Sequence, residues 1–237
     1  MKTLITFLLF GLVGNLATAQ YSQYFMPPID DDLISTARDV YVVTNAGDTV
    51  RGRVNSSTAI NGQIRALTIK RADKAKFKYK AADIQVFAIR ATQFMNMTSA
   101  MSVPNILRAS ETDYDKIMKR EWIIFDQALL PNKDKYALMQ LLNPDFSSKI
   151  KVYVNPNANE SGMLSIGNTA ITGGEDTSYF VVTEGKKSEI YKKRKYDDEA
   201  LTRLFKDCEA FANEYAGEKF KWKDFSEHVL VYDQLCE

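Results

Sequence analysis

The sequence is poor in the side chains on which most metal and nucleophile sites depend. Histidine occurs once, at His228, and cysteine twice, at Cys208 and Cys236. The usual zinc sites draw their ligands mainly from these two residue types and cannot be assembled from three such side chains. No G-x-G-x-x-G motif and no phosphate-binding loop occurs either. We therefore expect no metal and no cofactor.

Nucleophilic catalysis has little support in the sequence. The nearest match to a serine elbow is Gly-Met-Leu-Ser-Ile-Gly at 162–167, which places Ser165 one residue away from the G-x-S-x-G spacing. A serine–histidine pair would have to join Ser165 to His228, whereas a single histidine in a helical pattern is more often a surface residue of that helix. We assign no catalytic residue, and the sequence favours a protein that is not an enzyme.

Neither a dominant charge nor a long apolar run marks this chain. Lys and Arg number 31 against 30 Asp and Glu, which argues against a nucleic-acid partner. The apolar run at 4–13 is about half the length of roughly 20 residues that a membrane-spanning helix needs. It follows Lys2 and precedes Ala17-Thr18-Ala19, which is the pattern of a secretory signal peptide. We expect a signal peptide at 1–19, cleavage after Ala19, and an exported mature protein, periplasmic or secreted, without a transmembrane span.

The two cysteines gain significance from the predicted export, because disulfides persist in oxidising compartments. Cys208 and Cys236 both fall on apolar helical stripes. If the two helices pack antiparallel, Cys236 overshoots its partner by about 6 Å at the rise of a helix. We predict a Cys208–Cys236 disulfide in which the last helix unwinds near Gln234 and the tail folds back. The alternative is two free, buried thiols.

Patterns typical of β-strands fill the chain from 39 to 195. The hairpin at 40–54 joins two β-branched runs through Asn45-Ala46-Gly47-Asp48, where glycine can adopt a positive φ. A short helix that begins after Ser110 and a long loop at 155–178, mobile or functional, interrupt the strands. Further strands are predicted at 64–70, 76–80, 84–89, 122–130, 136–142, 150–154, 179–183 and 188–191.

The carboxy-terminal part of the chain has helical periodicity. Apolar residues recur at helical spacing over 201–215 and again over 222–236. The predicted class is α+β: an antiparallel β domain at 39–195, a sandwich or an open barrel, and a helical pair at 196–237 packed against its sheet. An extended lead-in at 20–38 precedes the β domain.

Three stretches carry a resemblance to other proteins. They are the hairpin at 41–54 with its Gly-Asp-Thr-Val-Arg-Gly core, the Lys-Phe-Lys-Tyr-Lys run at 76–80 that leads into 83–87, and the helix with Asp207-Cys208 followed by Trp-Lys-Asp-Phe at 222–225. Together they resemble a broad family of uncharacterised exported proteins common in Bacteroidota. That family has no assigned activity, so the resemblance implies no catalytic residue.

Two basic stretches could bind a polyanion. The lysines at 76–80 alternate with aromatic residues, a pattern that we interpret as a half-buried edge strand in preference to a binding strip. The second stretch could bind acidic glycan or lipid headgroups, although we favour its interpretation as a solvated strand end beside the acidic residues 197–199. Its cationic residues are Lys186, Lys187, Lys192, Lys193, Arg194 and Lys195.

The expected function is binding or scaffolding by a secreted or envelope-associated protein. The expected partner is an envelope protein or a glycan, and not nucleic acid. The alternative is a carboxylate-dependent hydrolase that acts on glycan, since such an enzyme needs only two acids that flank a cleft.

Overall fold

The computed structural model describes residues 24–60, 62–102, 112–131, 134–158, 164–166, 169–172, 178–185 and 187–236. The predicted signal peptide with its cleavage site after Ala19, and Lys186 of the second basic stretch, lie outside these residues. Within them, none of the helices combines the length and hydropathy needed to cross a bilayer.

Six antiparallel strands close into a β-barrel and a seventh extends it. The hydrogen-bonded order is β2-β1-β5-β6-β7-β3-β4, and the pairing of β2 with β3 closes the barrel so that β4 lies outside it. The structure thus confirms the predicted antiparallel sheet and shows that this sheet forms a closed barrel. The strands are β1 (Val40–Thr44), β2 (Thr49–Ile60), β3 (Gln63–Lys70), β4 (Lys76–Lys80), β5 (Ile84–Arg90), β6 (Trp122–Leu129) and β7 (Tyr136–Gln140).

Two glycines explain the geometry of the first hairpin. Gly47 has a φ of +89° in the turn between β1 and β2, a conformation that favours glycine. Gly52 lies where β2 approaches β3 closely, since a Cβ there would be 2.5 Å from the carbonyl oxygen of Lys70 and 2.9 Å from Cγ2 of Ile69. The glycine at position 52 therefore allows the contact through which the barrel closes.

The barrel interior is apolar and contains two buried glutamines. Val42, Phe87 and Phe125 are buried side by side on β1, β5 and β6. The side chain of Gln127 donates to the carbonyl oxygen of Ala81 at 2.6 Å. The side-chain oxygen of Gln140 accepts from the backbone N–H of Ile29 at 3.0 Å. Each buried amide thus finds a partner, as a polar group in a core requires.

A second, three-stranded sheet lies between the barrel and the carboxy-terminal helices. Its order is β12-β11-β8, formed by β8 (Lys151–Val154), β11 (Ser178–Val182) and β12 (Glu189–Lys192). Tyr153 and Phe180 on one face pack against the outer side of β6 and β7, and Val152 and Val181 on the other face pack under the helices. The prediction of a long loop at 155–178 was wrong in part, because this range contains the hairpin of β9 (Leu164–Ile166) and β10 (Thr169–Thr172).

The helices differ more from the prediction than the strands do. The lead-in at 20–38, expected to be extended, contains the first helix, and the second was not predicted. The third begins after Asp113, whose carboxylate accepts from the backbone N–H of Lys116 at 2.9 Å; Ser110, the predicted cap, lies outside the described residues. The helices are α1 (Asp31–Thr36), α2 (Gln93–Met101), α3 (Tyr114–Lys119), α4 (Tyr196–Glu199), α5 (Glu209–Glu214) and α6 (Phe225–Leu235).

The first helix of the predicted carboxy-terminal pair is broken. After α4 the chain forms a π-turn at 200–204, in which the N–H of Phe205 bonds to the carbonyl of Ala200 at 2.8 Å, and α5 starts only after Cys208. Leu204 and Phe205 are neighbours in sequence and both are buried. A regular helix points neighbouring residues about 100° apart, so the wider turn allows both to reach the core. The helices pack on the three-stranded sheet, as predicted.

The predicted disulfide is confirmed. Cys208 and Cys236 are bonded, with their Cα atoms 5.7 Å apart. Helix α6 ends at Leu235 and Cys236 is extended, so the tail leaves the helix one residue later than predicted. The bridge ties the residue before α5 to the residue after α6, and the two helices are therefore joined covalently at this end.

Candidate functional site: a basic face on the barrel

Strands β2, β3 and β4 carry a concentration of positive charge that the whole-chain composition conceals. Residues 49–80 contain nine Lys or Arg side chains and one acid, Asp73, which gives a net charge of +8, whereas the whole chain has a net charge of +1. The nine are Arg51, Arg53, Arg65, Lys70, Arg71, Lys74, Lys76, Lys78 and Lys80.

The strand register aligns three of these side chains. Arg53 pairs with Lys70 across β2 and β3, and Lys70 pairs with Lys76 across β3 and β4. Residues directly opposite each other point to the same side of a sheet. That side is the outer one, since the next pair, Val54 and Ile69, is buried in the barrel. We call Arg53, Lys70 and Lys76 the cation row; neighbouring strands in a sheet are about 4.8 Å apart.

Two more lysines continue the positive surface along β4. Lys78 and Lys80 follow Lys76 at two-residue steps, about 6.7 Å each in a strand, and both are exposed. Their cross-strand neighbours on β3 are Thr68 and Ala66, which carry no charge. We call the cation row together with Lys78 and Lys80 the basic face.

The basic face has no acidic partners among the residues that the structure describes. No Asp or Glu oxygen there lies within 4.0 Å of the charged nitrogens of its five side chains. The one acid of the region, Asp73, instead contacts Arg71 at 3.4 Å in the turn between β3 and β4. Like charges placed directly opposite each other destabilise a sheet. The charges of the cation row therefore do not stabilise the sheet by themselves.

Three arginines near strand ends stack on aromatic rings, in the geometry of cation–π pairs, and of these Arg51 lies on the same side of the sheet as the cation row. The stacked pairs, with the distance from guanidinium carbon to ring centre, are Arg51 on Tyr41 at 5.4 Å, Arg71 on Phe77 at 5.7 Å, and Arg90 on Trp122 at 5.2 Å. The stacking places each guanidinium over a ring face. It also occupies one side of each of these three rings.

The aromatic residues of β4 point away from its lysines. Phe77 pairs with Ile69 and Tyr79 with Leu67, and both aromatic rings are half-buried. Burial raises the pKa of Tyr79, and the nearby Asp48 adds to the effect. Strand β4 is thus the half-buried edge strand that the alternation predicted, with its lysines on the solvent side.

The second basic stretch is divided between two places. Lys192 ends β12, and 193–195 form a 3-10 turn with exposed side chains. Lys187 precedes β12, roughly 16 Å away along an extended chain. Asp197, just beyond the turn, accepts from the backbone N–H of Phe220 at 2.8 Å. The proposal of a polyanion site in this stretch stays a prediction.

Lys187 lines a groove in which charges of both signs meet. The groove measures about 650 Å³ and lies beside the disulfide, between the turn after β11 and the π-turn. Arg203 in its wall donates to Glu189 at 2.6 Å and to Glu199 at 3.0 Å, and it stacks on the ring of Tyr191 at 4.6 Å. Because these charges neutralise one another, the groove suits a polyanion less well than the basic face does.

Carboxylates for the hydrolase alternative lie in two separate places. A cavity of about 600 Å³ at the barrel end, next to α1 and α2, is lined by residues that include Asp30, Asp31 and Asp32. Asp31 accepts from the backbone N–H of Gly62 at 2.7 Å. Burial raises the pKa of Glu227, with a smaller contribution from nearby Asp224, but neither residue lines this cavity. The hydrolase alternative stays a prediction.

Sequence reasoning missed two features that depend on strand register. The first is the cation row, whose only sequence signal is the excess of Lys and Arg over 49–80. The second is Asp126, buried on the outer side of β6, where it forms an ion pair with Lys151 and accepts from the hydroxyl of Tyr153 at 3.3 Å. Burial, followed by the charge of Asp126, raises the pKa of Tyr153 well above its usual value. Asp126 therefore joins the barrel to the three-stranded sheet.

Comparisons with known proteins return no match: no protein-family model, no curated protein and no solved structure is significantly similar to this chain. In the ranges that the structure describes, no group of three or more His, Cys, Asp or Glu side chains is arranged to hold a metal ion.

Proposed function

We propose that the protein is an exported binding protein, and that its basic face captures a polyanionic ligand. The observation that carries this proposal is the cation row: three positive side chains in register on adjacent strands, without a carboxylate partner among the described residues. A polyanion would offset their mutual repulsion and would release its own condensed counterions on binding. The Cys208–Cys236 disulfide supports export, since such bonds persist outside the reducing cytosol.

Retention on immobilised heparin, a convenient polyanion, tests the proposal. The variant K76A/K78A/K80A removes three charges from the basic face, and the matched control K192A/K193A/K195A removes three exposed charges from the turn after β12. We expect the first variant to elute at clearly lower salt than the wild type and the control to elute close to the wild type. Loss of retention in the control alone would place the site in the second basic stretch. A wild type that is not retained at low salt would refute polyanion binding.

A further inference from the structure

We infer that the ligand is a linear acidic polysaccharide, and that it runs across β2, β3 and β4 along the cation row, beside a cleft between β2 and the turn that follows β3. This inference rests on the proposed function, because it specifies the chemistry and the path of the polyanion at the same face.

The first argument is the distribution of charge over the basic face. The cation row brings three charges within roughly 10 Å, given the spacing of strands. At Lys78 and Lys80 the neighbours on β3 are uncharged, so each of those positions offers a single cation. Arg53 and Lys70 are also half-buried, so their side chains have less freedom to lose on binding than a fully exposed lysine. The density of positive charge is therefore highest along a line that crosses the strands, and the side chains of Arg53 and Lys70 on this line are the most restricted.

The second argument is a cleft beside the cation row, next to its Arg53–Lys70 pair. The hydrogen-bonded ladder between β2 and β3 begins at the Arg53–Lys70 pair. Beyond this pair the start of β2 and the turn after β3 diverge and leave a cleft of about 600 Å³, whose walls include Thr49, Arg51 and Arg71. Arg51 lies on the same side of β2 as Arg53 and stacks on Tyr41, whereas Arg71 stacks on Phe77 on the opposite side of the sheet and is paired with Asp73. Arg51 is therefore the guanidinium that the cleft offers to a ligand on the cation row. A guanidinium can bind a carboxylate or sulfate through two parallel hydrogen bonds.

The third argument separates a polysaccharide from other polyanions. Asp73 lies in the wall of the cleft, where its carboxylate contacts Arg71 and also accepts from the backbone N–H of Ala75 at 3.0 Å. A carboxylate accepts hydrogen bonds from hydroxyl groups, which a sugar supplies and an inorganic polyphosphate lacks. Single-stranded nucleic acid is bound chiefly by stacking of its bases on aromatic rings. Here Tyr41 is already stacked by Arg51, and the rings of Phe77 and Tyr79 lie on the opposite side of the sheet from the lysines.

Two double variants with the same charge change test the path of the ligand. R53Q/K70Q removes two cations from the cation row, and K78Q/K80Q removes two from the remainder of the basic face. Fluorescence anisotropy would measure binding to labelled heparin and to labelled polygalacturonate at fixed salt. We expect R53Q/K70Q to lose affinity about tenfold or more, the effect of losing charge-assisted contacts, and K78Q/K80Q to lose less than about threefold. Circular dichroism and the melting temperature should show both variants to be folded.

The wild type tests the ligand class in the same assay. We expect heparin or polygalacturonate to bind at least tenfold more tightly than single-stranded DNA or polyphosphate of similar charge. Equal losses in the two double variants would overturn the proposed path. Equal affinity for DNA or polyphosphate would overturn the ligand class. In both cases polyanion binding itself would stand, whereas a wild type that binds none of the four probes would refute the proposed function as well.

Discussion

The buried histidine of α6 should make the stability of this protein fall in mild acid. His228, for which the helical pattern predicted a surface position, is instead only 4% exposed, and its Nδ1 atom is 2.7 Å from the hydroxyl oxygen of Tyr196. Burial lowers the pKa of His228 to about 4, from an ordinary value of 6.5. Aromatic rings surround it, with centres 4.8 to 6.4 Å from the imidazole: Phe205, Phe211, Tyr215 and Phe220.

The sign and size of the effect follow from these two pKa values. Between pH 6.5 and pH 4 the unfolded chain binds a proton at His228 that the folded chain does not, so acid favours unfolding. The stability that depends on a neutral His228 side chain is complete above pH 6.5 and is lost as the pH falls through this window. Its upper limit is about 3 kcal/mol, and the loss between pH 7.5 and pH 5 is about 2 kcal/mol.

Urea unfolding at pH 7.5, 6 and 5, with the disulfide intact, would measure this loss. The matched variant His228→Gln keeps a hydrogen-bonding group beside Tyr196 and cannot titrate. We expect the variant to be less stable than the wild type at pH 7.5 but to lose about 2 kcal/mol less on going to pH 5. Equal slopes of stability against pH in the two proteins would refute the reasoning. A proton NMR titration of the imidazole provides an independent value for the pKa.

Two further predictions concern features that stabilise the fold, the close strand approach at Gly52 and the Cys208–Cys236 disulfide. Gly52→Ala should lower the free energy of unfolding by about 1 to 3 kcal/mol, because the added Cβ meets backbone atoms of Lys70. Urea unfolding should show the exposed control Thr58→Ala within about 0.5 kcal/mol of the wild type, and equal effects would contradict the close approach. Reduction of the Cys208–Cys236 bridge, which spans a sequence separation of 28 residues, should lower stability by about 3 to 4 kcal/mol. Calorimetry with and without reductant measures this change, and an unchanged melting temperature would contradict it.

Features that depend on near neighbours in the chain were accessible from the sequence. The hairpin turn at Asn45–Asp48 follows from local turn chemistry, and the edge character of β4 follows from the alternation of lysine with Phe77 and Tyr79. The disulfide was predictable because only one pairing of Cys208 and Cys236 exists. In each case the information lies within one element or in the composition.

Helix α2 illustrates a failure of periodicity. Its buried side chains include Met95, Asn96 and Ser99, whereas Phe94 is 57% exposed. An inward asparagine and an outward phenylalanine invert the amphipathic pattern on which a helix prediction depends. The reason is tertiary, since Asn96 accepts from the guanidinium of Arg120 at 3.1 Å and its amide donates to the carbonyl of that same residue at 2.9 Å. A polar side chain buried for such contacts cannot be told from a surface residue in the sequence.

The basic face was hidden for a related reason, because distance along the chain is a poor guide to distance across a sheet. The cations of the second basic stretch are close in sequence, yet β12 separates Lys187 from Lys192. Arg53 and Lys70 are far apart in sequence, yet the register of β2 and β3 places them directly opposite each other. Gly52 directly precedes Arg53 and lies where the backbones of β2 and β3 approach too closely for a side chain. If the basic face binds a polyanion as proposed, Gly52→Ala should therefore also weaken retention on immobilised heparin, and unchanged retention would contradict the link between this close approach and the cation row.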